Sequence, residues 1–264
     1  LFKTFKLNNN MSRIALITGA TSGIGEATAH AFAADGFDLI ITGRRVALLS
    51  ALEKDLESKY GIKVLALSFD VRNLNQVEQY LGTLPKPWNE IDVLVNNAGL
   101  AVGLQPVQQG MFDDWERMID TNIKGLLYVS KIVSNFMITR GKGHIINIGS
   151  IAGKSVYPNG NVYCATKHAV DALSEAMMMD LHSHNVKVSQ VCPGAVETEF
   201  SQVRFKGDSE RASNVYKGFV PLKAKDVADA ILYIVKAPAH VNISDMVIMP
   251  AAQASVSIIN RKDG

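Results

Sequence analysis

The stretch Ile14-Ala15-Leu16-Ile17-Thr18-Gly19-Ala20-Thr21-Ser22-Gly23-Ile24-Gly25 passes from an apolar run through a glycine-rich turn into a helical pattern that lasts to about Ala34. Glycine at these points lets the backbone turn sharply and bring its amides up to a pyrophosphate at a helix N-terminus. The spacing is Gly-x3-Gly-x-Gly, not the more familiar Gly-x-Gly-x2-Gly. A tight strand-to-helix turn needs glycine on steric grounds alone. Its placement between a strong strand and a strong helix is what points to a nucleotide, with Gly19, Thr21, Ser22, Gly23, Ile24 and Gly25 as the expected cradle.

Outward from this turn, short β-branched runs alternate with longer helical patterns. Strands are expected at Asp38–Thr42, Lys63–Phe69, Val93–Asn96, Ile145–Ile148, Val186–Val191 and Met246–Met249. Helices are expected at Val46–Tyr60, Leu74–Leu81, across Phe112–Ile138, and from Tyr163 onward. Strands that are apolar at nearly every position are buried on both faces, as in a parallel sheet covered by helices. Repeated βα units with right-handed crossovers give a doubly wound α/β sandwich, a Rossmann-like fold.

At 264 residues the chain has the length of one undivided α/β domain, and it shows no linker or internal repeat. Residues 11–264 are therefore expected to form a single domain. The alternation breaks between about 199 and 222, where polar residues, Gly207, Gly218 and Pro221 suggest a loop or helical lid over a site. Residues 1–10 have no sustained apolar core and do not read as a secretory signal; with Met11 following, they are expected to be an extension outside the fold.

Composition removes several function classes. A net charge of +2 gives no argument for nucleic acid or an acidic membrane surface. No apolar stretch reaches the length of a bilayer crossing. Cys164 and Cys192 form neither a metal spacing nor a disulfide framework and read as small buried hydrophobes of a reducing, cytoplasmic setting. The six histidines build no metal constellation. The partner expected is a small molecule.

Two further segments carry chemistry. The second strand ends Thr42-Gly43-Arg44-Arg45, where a dinucleotide fold meets the adenosine ribose. An acid there would bind the 2′-hydroxyl; Arg44 and Arg45 instead suit a 2′-phosphate, so NADP is expected over NAD. In the run Tyr163-Cys164-Ala165-Thr166-Lys167, phenol and ammonium stand four residues apart, on one helical face. A free tyrosine titrates near about 10, and a neighbouring cation favours its phenolate. Ser150, thirteen residues earlier, could hold a substrate oxygen. Taken alone, such a pair is common on helix surfaces, and Tyr163 could be an ordinary core residue.

With the glycine turn, Asn96-Asn97-Ala98-Gly99, Asn122, Ser150 and the Tyr163–Lys167 pair in this order, the chain resembles the short-chain dehydrogenase/reductase family from Ile14 to about Pro250. The resemblance implies a seven-stranded parallel sheet and a homotetramer. It implies Tyr163 as general acid/base, with Lys167 lowering its pKa and binding the nicotinamide ribose. Ser150 would hold the reacting oxygen, and Asn122 a helix kink and a relay water. Asn97, Ala98 and Gly99 would line the adenosine side, with Asp70 and Val71 beside the adenine. Pro193-Gly194-Ala195-Val196-Glu197-Thr198 matches the nicotinamide-contacting segment, where Pro193, Gly194, Val196 and Thr198 would meet the cofactor.

The segments Glu199-Phe200-Ser201-Gln202-Val203-Arg204-Phe205-Lys206-Gly207-Asp208, Pro238–Ile243 and Met249-Pro250 narrow the likeness to an NADP-dependent branch acting on 3-hydroxy acids such as serine and allo-threonine. A carboxylate substrate wants a cation, and Arg204 has better bidentate geometry than Lys206. Both also read as solvated loop charges. Two rival readings are a reductase of another carbonyl, such as an acyl thioester or sugar, and a non-catalytic NADP sensor.

Overall fold

The computed structural model describes residues 12–262, so the extension expected at residues 1–10 lies outside the described residues. The strands are β1 (Ile14–Ile17), β2 (Asp38–Gly43), β3 (Val64–Ser68), β4 (Ile91–Asn96), β5 (Gly143–Ile148), β6 (Val186–Pro193), β7 (Val196–Glu197), β8 (Leu222–Lys223) and β9 (Asp245–Ile248). The helices are α1 (Gly23–Ala34), α2 (Val46–Tyr60), α3 (Leu74–Leu81), α4 (Phe112–Ile119), α5 (Leu126–Arg140), α6 (Asn161–Leu181), α7 (Phe200–Arg204), α8 (Ser209–Asn214) and α9 (Ala224–Val235).

Seven strands form one parallel sheet in the order β3-β2-β1-β4-β5-β6-β9, and β7 pairs with β8 in a small separate ladder. The near-continuous apolar strands follow from burial on both faces. In β1, Ala15 and Ile17 face a layer containing Phe32 of α1, Leu52 of α2 and Ile231 of α9. Ile14 and Leu16 face the opposite layer, with Val77 of α3 and Val133 of α5. Successive side chains of a strand alternate between faces, so every residue of β1 is buried and none can be polar. Phe32, fully buried and 4.8 Å from the Phe37 ring, anchors α1 to the turn before β2.

Strand order reverses between β1 and β4. That is the position at which open α/β sheets form a crevice at the carboxyl ends of their strands. The glycine turn sits there. Gly19 has φ +66°, and a Cβ on Gly25 would collide with Gly19 O, so the turn tolerates side chains at neither.

The stretch 112–138 is helical as expected but is not one α-helix: Asp120–Gly125 forms a π-helical segment between α4 and α5. The stretch 199–222 takes the helical one of the two expected forms in part, with α7 and α8, and ends at β8.

Polar groups inside the sheet are paired across strands. Asn96 and Asn147 stand side by side in β4 and β5, and Asn96 Nδ2 donates to Asn147 Oδ1 at 2.9 Å and Ser130 Oγ at 2.8 Å. His144 of β5 is buried, with Nε2 2.8 Å from Ser189 Oγ. Burial, with the Lys187 charge adding, pushes the imidazole down to about 3. Between about pH 6.5 and 3 the unfolded chain takes up a proton that native His144 refuses, so this contribution to stability falls as the pH falls through that window. The urea midpoint is expected to drop on acidification below pH 6.5, and His144→Asn should flatten that dependence by up to about 1.4 kcal/mol per pH unit.

Candidate active site

The carboxyl ends of the central strands open onto a cavity of about 460 Å³. Its first wall is the glycine turn. Ser22 precedes α1 without a side-chain cap, which leaves the first amides of the helix available to an anion. The turn after β4 is stitched to it: Thr18 Oγ1 accepts from Asn97 N and Ala98 N at 3.0 Å each. Asn97 Nδ2 donates back to Thr18 O at 2.8 Å and Gly19 O at 3.1 Å.

The second wall is the end of β2. Arg45 is engaged: its Nη1 lies 2.9 Å from Glu199 Oε2, and its Nη2 donates to Thr21 Oγ1 at 3.1 Å. Arg44 lies 3.7 Å from Asp70 and is over half exposed. Burial would raise Asp70, but bonds from Arg72 and the Arg44 charge hold its carboxyl below the usual range. This donor set of glycine amides and arginine forks fits a phosphorylated dinucleotide.

The third wall carries Ser150, Tyr163 and Lys167. Ser150 opens a short 3-10 turn, its Oγ accepting from Ala152 N at 3.1 Å. Tyr163 and Lys167 share the inward face of α6, both nearly fully buried. Burial pushes the Tyr163 phenol above its ordinary value, with Tyr157 adding; Ser150 hydrogen bonding and the Arg204 charge pull the other way. Lys167 does not bond the phenol. Its Nζ donates to Ile148 O at 2.8 Å, and burial pushes it down to about 8. The lowering of the phenol expected from the Tyr163–Lys167 pair is thus corrected to a rise, because desolvation outweighs the Ser150 bond and the Arg204 charge.

Asn122 stands behind this wall in the π segment. Its Oδ1 accepts from Leu100 N and its Nδ2 donates to Leu100 O, both at 2.9 Å. Nδ2 also reaches Thr166 Oγ1 at 3.0 Å, and Thr166 bonds Tyr163 O at 2.8 Å. The π segment that carries Asn122 is a form that recurs at functional sites.

The cavity wall brings together Gly19, Thr21, Ser22, Gly23, Ile24, Arg44, Arg45, Asp70, Val71, Asn97, Ala98, Gly99, Ser150, Tyr163, Lys167, Pro193, Gly194, Val196 and Thr198. Gly25, Asn122 and Arg204 do not line it, though Arg204 packs against Tyr163, which does. Arg204, on α7, is no solvated loop charge: its guanidinium lies 5.5 Å from the Tyr163 ring centre, bonds Tyr157 Oη, and keeps a buried Nε without a partner. Lys206 is corrected as a rival cation, since it is paired with Asp114 at 2.8 Å.

Sequence reasoning missed Thr18, Tyr157 and Tyr216, and gave no role to Glu199 or Phe200. Phe200 meets the Tyr163 ring edge-on at 5.7 Å. Tyr216 Oη donates to Val196 O at 2.8 Å and lies 2.7 Å from Ser201 Oγ, tying α7 to β7. Phe200 and Tyr157 carried one faint signal, an aromatic in a polar stretch.

The family model for short chain dehydrogenases matches residues 13–209. The chain belongs to the short-chain dehydrogenase family. It is 47% identical over 242 residues, 91% of this chain and 96% of the relative, to the NADP-dependent 3-hydroxy acid dehydrogenase YdfG of Salmonella typhi. It is 43% identical over 245 residues, 92% of this chain and 96% of the relative, to sulfoacetaldehyde reductase 2 of Chromohalobacter salexigens. The closed form of a serine dehydrogenase complexed with NADP+ superposes with TM-score 0.88 at 43% identity, covering 95% of this chain and 100% of that one. As a short-chain dehydrogenase the chain is an oxidoreductase, and the seven-stranded sheet is the fold expected of it. Among the described residues no group of His, Cys, Asp or Glu could hold a metal, and no helix is long and apolar enough to cross a membrane.

Asn122→Ala would leave the buried Leu100 N–H and C=O without partners in this short-chain dehydrogenase. Each such group costs about 1–3 kcal/mol, so a loss of at least about 2 kcal/mol is expected in urea unfolding.

Proposed function

We propose that the protein is an NADP-dependent dehydrogenase of small 3-hydroxy acids, of the serine, L-allo-threonine, 3-hydroxyisobutyrate or 3-hydroxypropionate type. The observation that carries this reading is the Arg204 guanidinium, held beside Tyr163 with a buried, unpaired Nε. A cation there recognises a carboxylate close to the hydroxyl that Tyr163 serves, and its planar fork suits an acid group. The likeness to a 3-hydroxy acid dehydrogenase and to a serine dehydrogenase supports the same substrate class.

The glycine turn would receive the pyrophosphate on the first amides of α1, and Arg44 and Arg45 would take the 2′-phosphate. Val196 and Thr198 would hold the nicotinamide carboxamide, and Lys167 its ribose. NADP, when bound, supplies the hydride acceptor for oxidation and, reduced, the donor for the reverse reaction. Ser150 fixes the reacting oxygen, and Tyr163 Oη takes or returns its proton. Asn122 holds α6 and the Leu100 backbone in register. The segment 199–222 serves as the lid. Exposed Phe112, Leu127 and Met179 support assembly as a homotetramer, and the free buried thiols of Cys164 and Cys192 support a cytoplasmic setting.

The Arg204 fork binds a sulfonate by the same chemistry, and the sulfoacetaldehyde reductase likeness makes that the second reading. A spectrophotometric panel separates the readings. Serine and 3-hydroxyisobutyrate should be oxidised with NADP, while sulfoacetaldehyde, 3-oxoacyl thioesters and sugars should be reduced poorly. Sulfoacetaldehyde as the best substrate would establish the second reading; NADP binding without turnover on any of them would establish a sensor.

Tyr163→Phe should leave NADPH binding within about twofold and abolish turnover. Arg204→Ala should raise KM for the hydroxy acid about tenfold or more and leave KM for NADP unchanged. The raised phenol is protonated at neutral pH and so serves carbonyl reduction as an acid. Acting as a base it must first lose that proton. The oxidation rate is therefore expected to climb into the alkaline range while the reduction rate falls, measured as kcat profiles in both directions.

A further inference from the structure

The turn that carries Ser150 and the helix that carries Lys167 meet a second time, outside the cavity, at a charged cluster. Lys154 lies four residues beyond Ser150, and Asp171 lies four residues beyond Lys167. Lys154 Nζ is 2.5 Å from Asp171 Oδ1 and 2.7 Å from Asp245 Oδ2. Asp171 Oδ1 also accepts from Gln190 Nε2 at 2.9 Å, and Cys192 Sγ lies 2.7 Å from that nitrogen and 3.5 Å from Asp245 Oδ1. One ammonium thus ties the Ser150 turn to α6 and to the edge strand β9, with β6 joined through the amide and the thiol.

Isolated ion pairs at this exposure, 31–40% for the three charged side chains, contribute little. Here one cation serves two carboxylates that are themselves bridged, so the geometry is fixed from several directions. Burial works against the Lys154 charge, but the two carboxylates outweigh it and hold the ammonium above its ordinary value.

Between the cluster and the cavity, the turn lies directly on α6: a Cβ on Gly153 would come within 2.6 Å of Lys167 O. Such a contact fixes how far the turn stands from the helix. Charge-assisted bonds have a preferred direction, and those from Lys154 add to the packing a restraint on how far the turn slides along the helix. We propose that Lys154 is a positioning residue, which through Asp171 and Asp245 locks the Ser150 turn along α6 and so sets the Ser150 hydroxyl against the Tyr163 phenol. The inference rests on the reading that Ser150, Tyr163 and Lys167 carry the chemistry.

The test compares Lys154→Met, Lys154→Arg, Asp171→Asn and Tyr163→Phe as purified full chains, with NADP and 3-hydroxyisobutyrate or serine. Turnover is expressed per NADPH-binding site, counted by fluorescence titration. Misalignment of reacting groups costs rate before it costs binding, so Lys154→Met should lower kcat per site about tenfold or more and leave KM for NADP within about twofold. Lys154→Arg should recover most of that loss. Asp171→Asn should lose turnover in the same way, and combining it with Lys154→Met should cost no more than the worse single change, because both break one device. Asp171→Asn is nearly isosteric, so it decides the matter even where Lys154→Met does not fold.

A merely structural role would reduce the number of NADPH-binding sites and leave turnover per site unchanged, and that result overturns the proposal. An arginine variant as slow as the methionine variant overturns it too. Tyr163→Phe with retained turnover would overturn the underlying assignment of chemistry instead. Tyr163→Phe inactive beside Lys154→Met at full turnover per site would overturn Lys154 alone.

Discussion

The amide of Asn122 closes two hydrogen bonds on the backbone of Leu100, and the site hangs from that pair. Leu100 lies just past the end of β4, where the chain has left the sheet and its backbone would otherwise be unpaired in a buried place. Upstream, Asn97 and Ala98 are bonded to Thr18 and Gly19 of the glycine turn. Downstream, Asn122 reaches Thr166, which bonds the carbonyl of Tyr163. A single polar path therefore runs from the glycine turn to α6. An asparagine can serve it because its amide offers donor and acceptor together. The π segment supplies the rest, since it carries Asn122 buried at the point where both partners are in reach.

The same burial that makes this path rigid sets the electrostatics. Desolvation disfavours any charge on Tyr163 and on Lys167, pushing the phenol up and the ammonium down. The two groups are thus drawn toward their neutral forms, and each leans on neighbours. Lys167 uses Ile148 O, while the phenol is pulled back by Ser150 and Arg204. Tyr157 works in the opposite sense on the phenol, yet it holds Arg204 in place through its hydroxyl. The site is a balance in which the aromatic that raises the phenol also supports the cation that lowers it.

What could be read in the sequence was what depends on neighbours along the chain. The strands were legible because burial on both faces demands unbroken apolar runs, as in Ile14–Ile17. The glycine turn was legible because Gly19 and Gly25 answer a local steric demand. Tyr163 and Lys167 were legible as a helical spacing, and nearly every residue expected at the cofactor came to one cavity. The π segment was not, because Asp120–Gly125 carries no composition that separates it from α-helix. Nor was the fate of the cations Arg204 and Lys206. Arg204 meets Tyr157 across 47 residues, and Lys206 meets Asp114, so tertiary contacts rather than spacing chose between them. The direction of the phenol shift failed for a related reason: adjacency on a helix face says nothing about how dry that face is.

The substrate side follows from where Arg204 is anchored. Its backbone carbonyl accepts from Gly103 N at 3.0 Å, three residues past Leu100, while its side chain leans on Tyr157 and Tyr163. The helix α7 is therefore fastened to the same backbone that Asn122 fixes. On the proposed reading, an acid group bound to the Arg204 fork is placed relative to Tyr163 by that shared anchor and not by the lid alone. A neutral alcohol would leave the buried Nε unpaired. Discrimination then comes from a buried donor that an anion satisfies and a neutral analogue does not, which is the kind of contact that separates substrates most sharply.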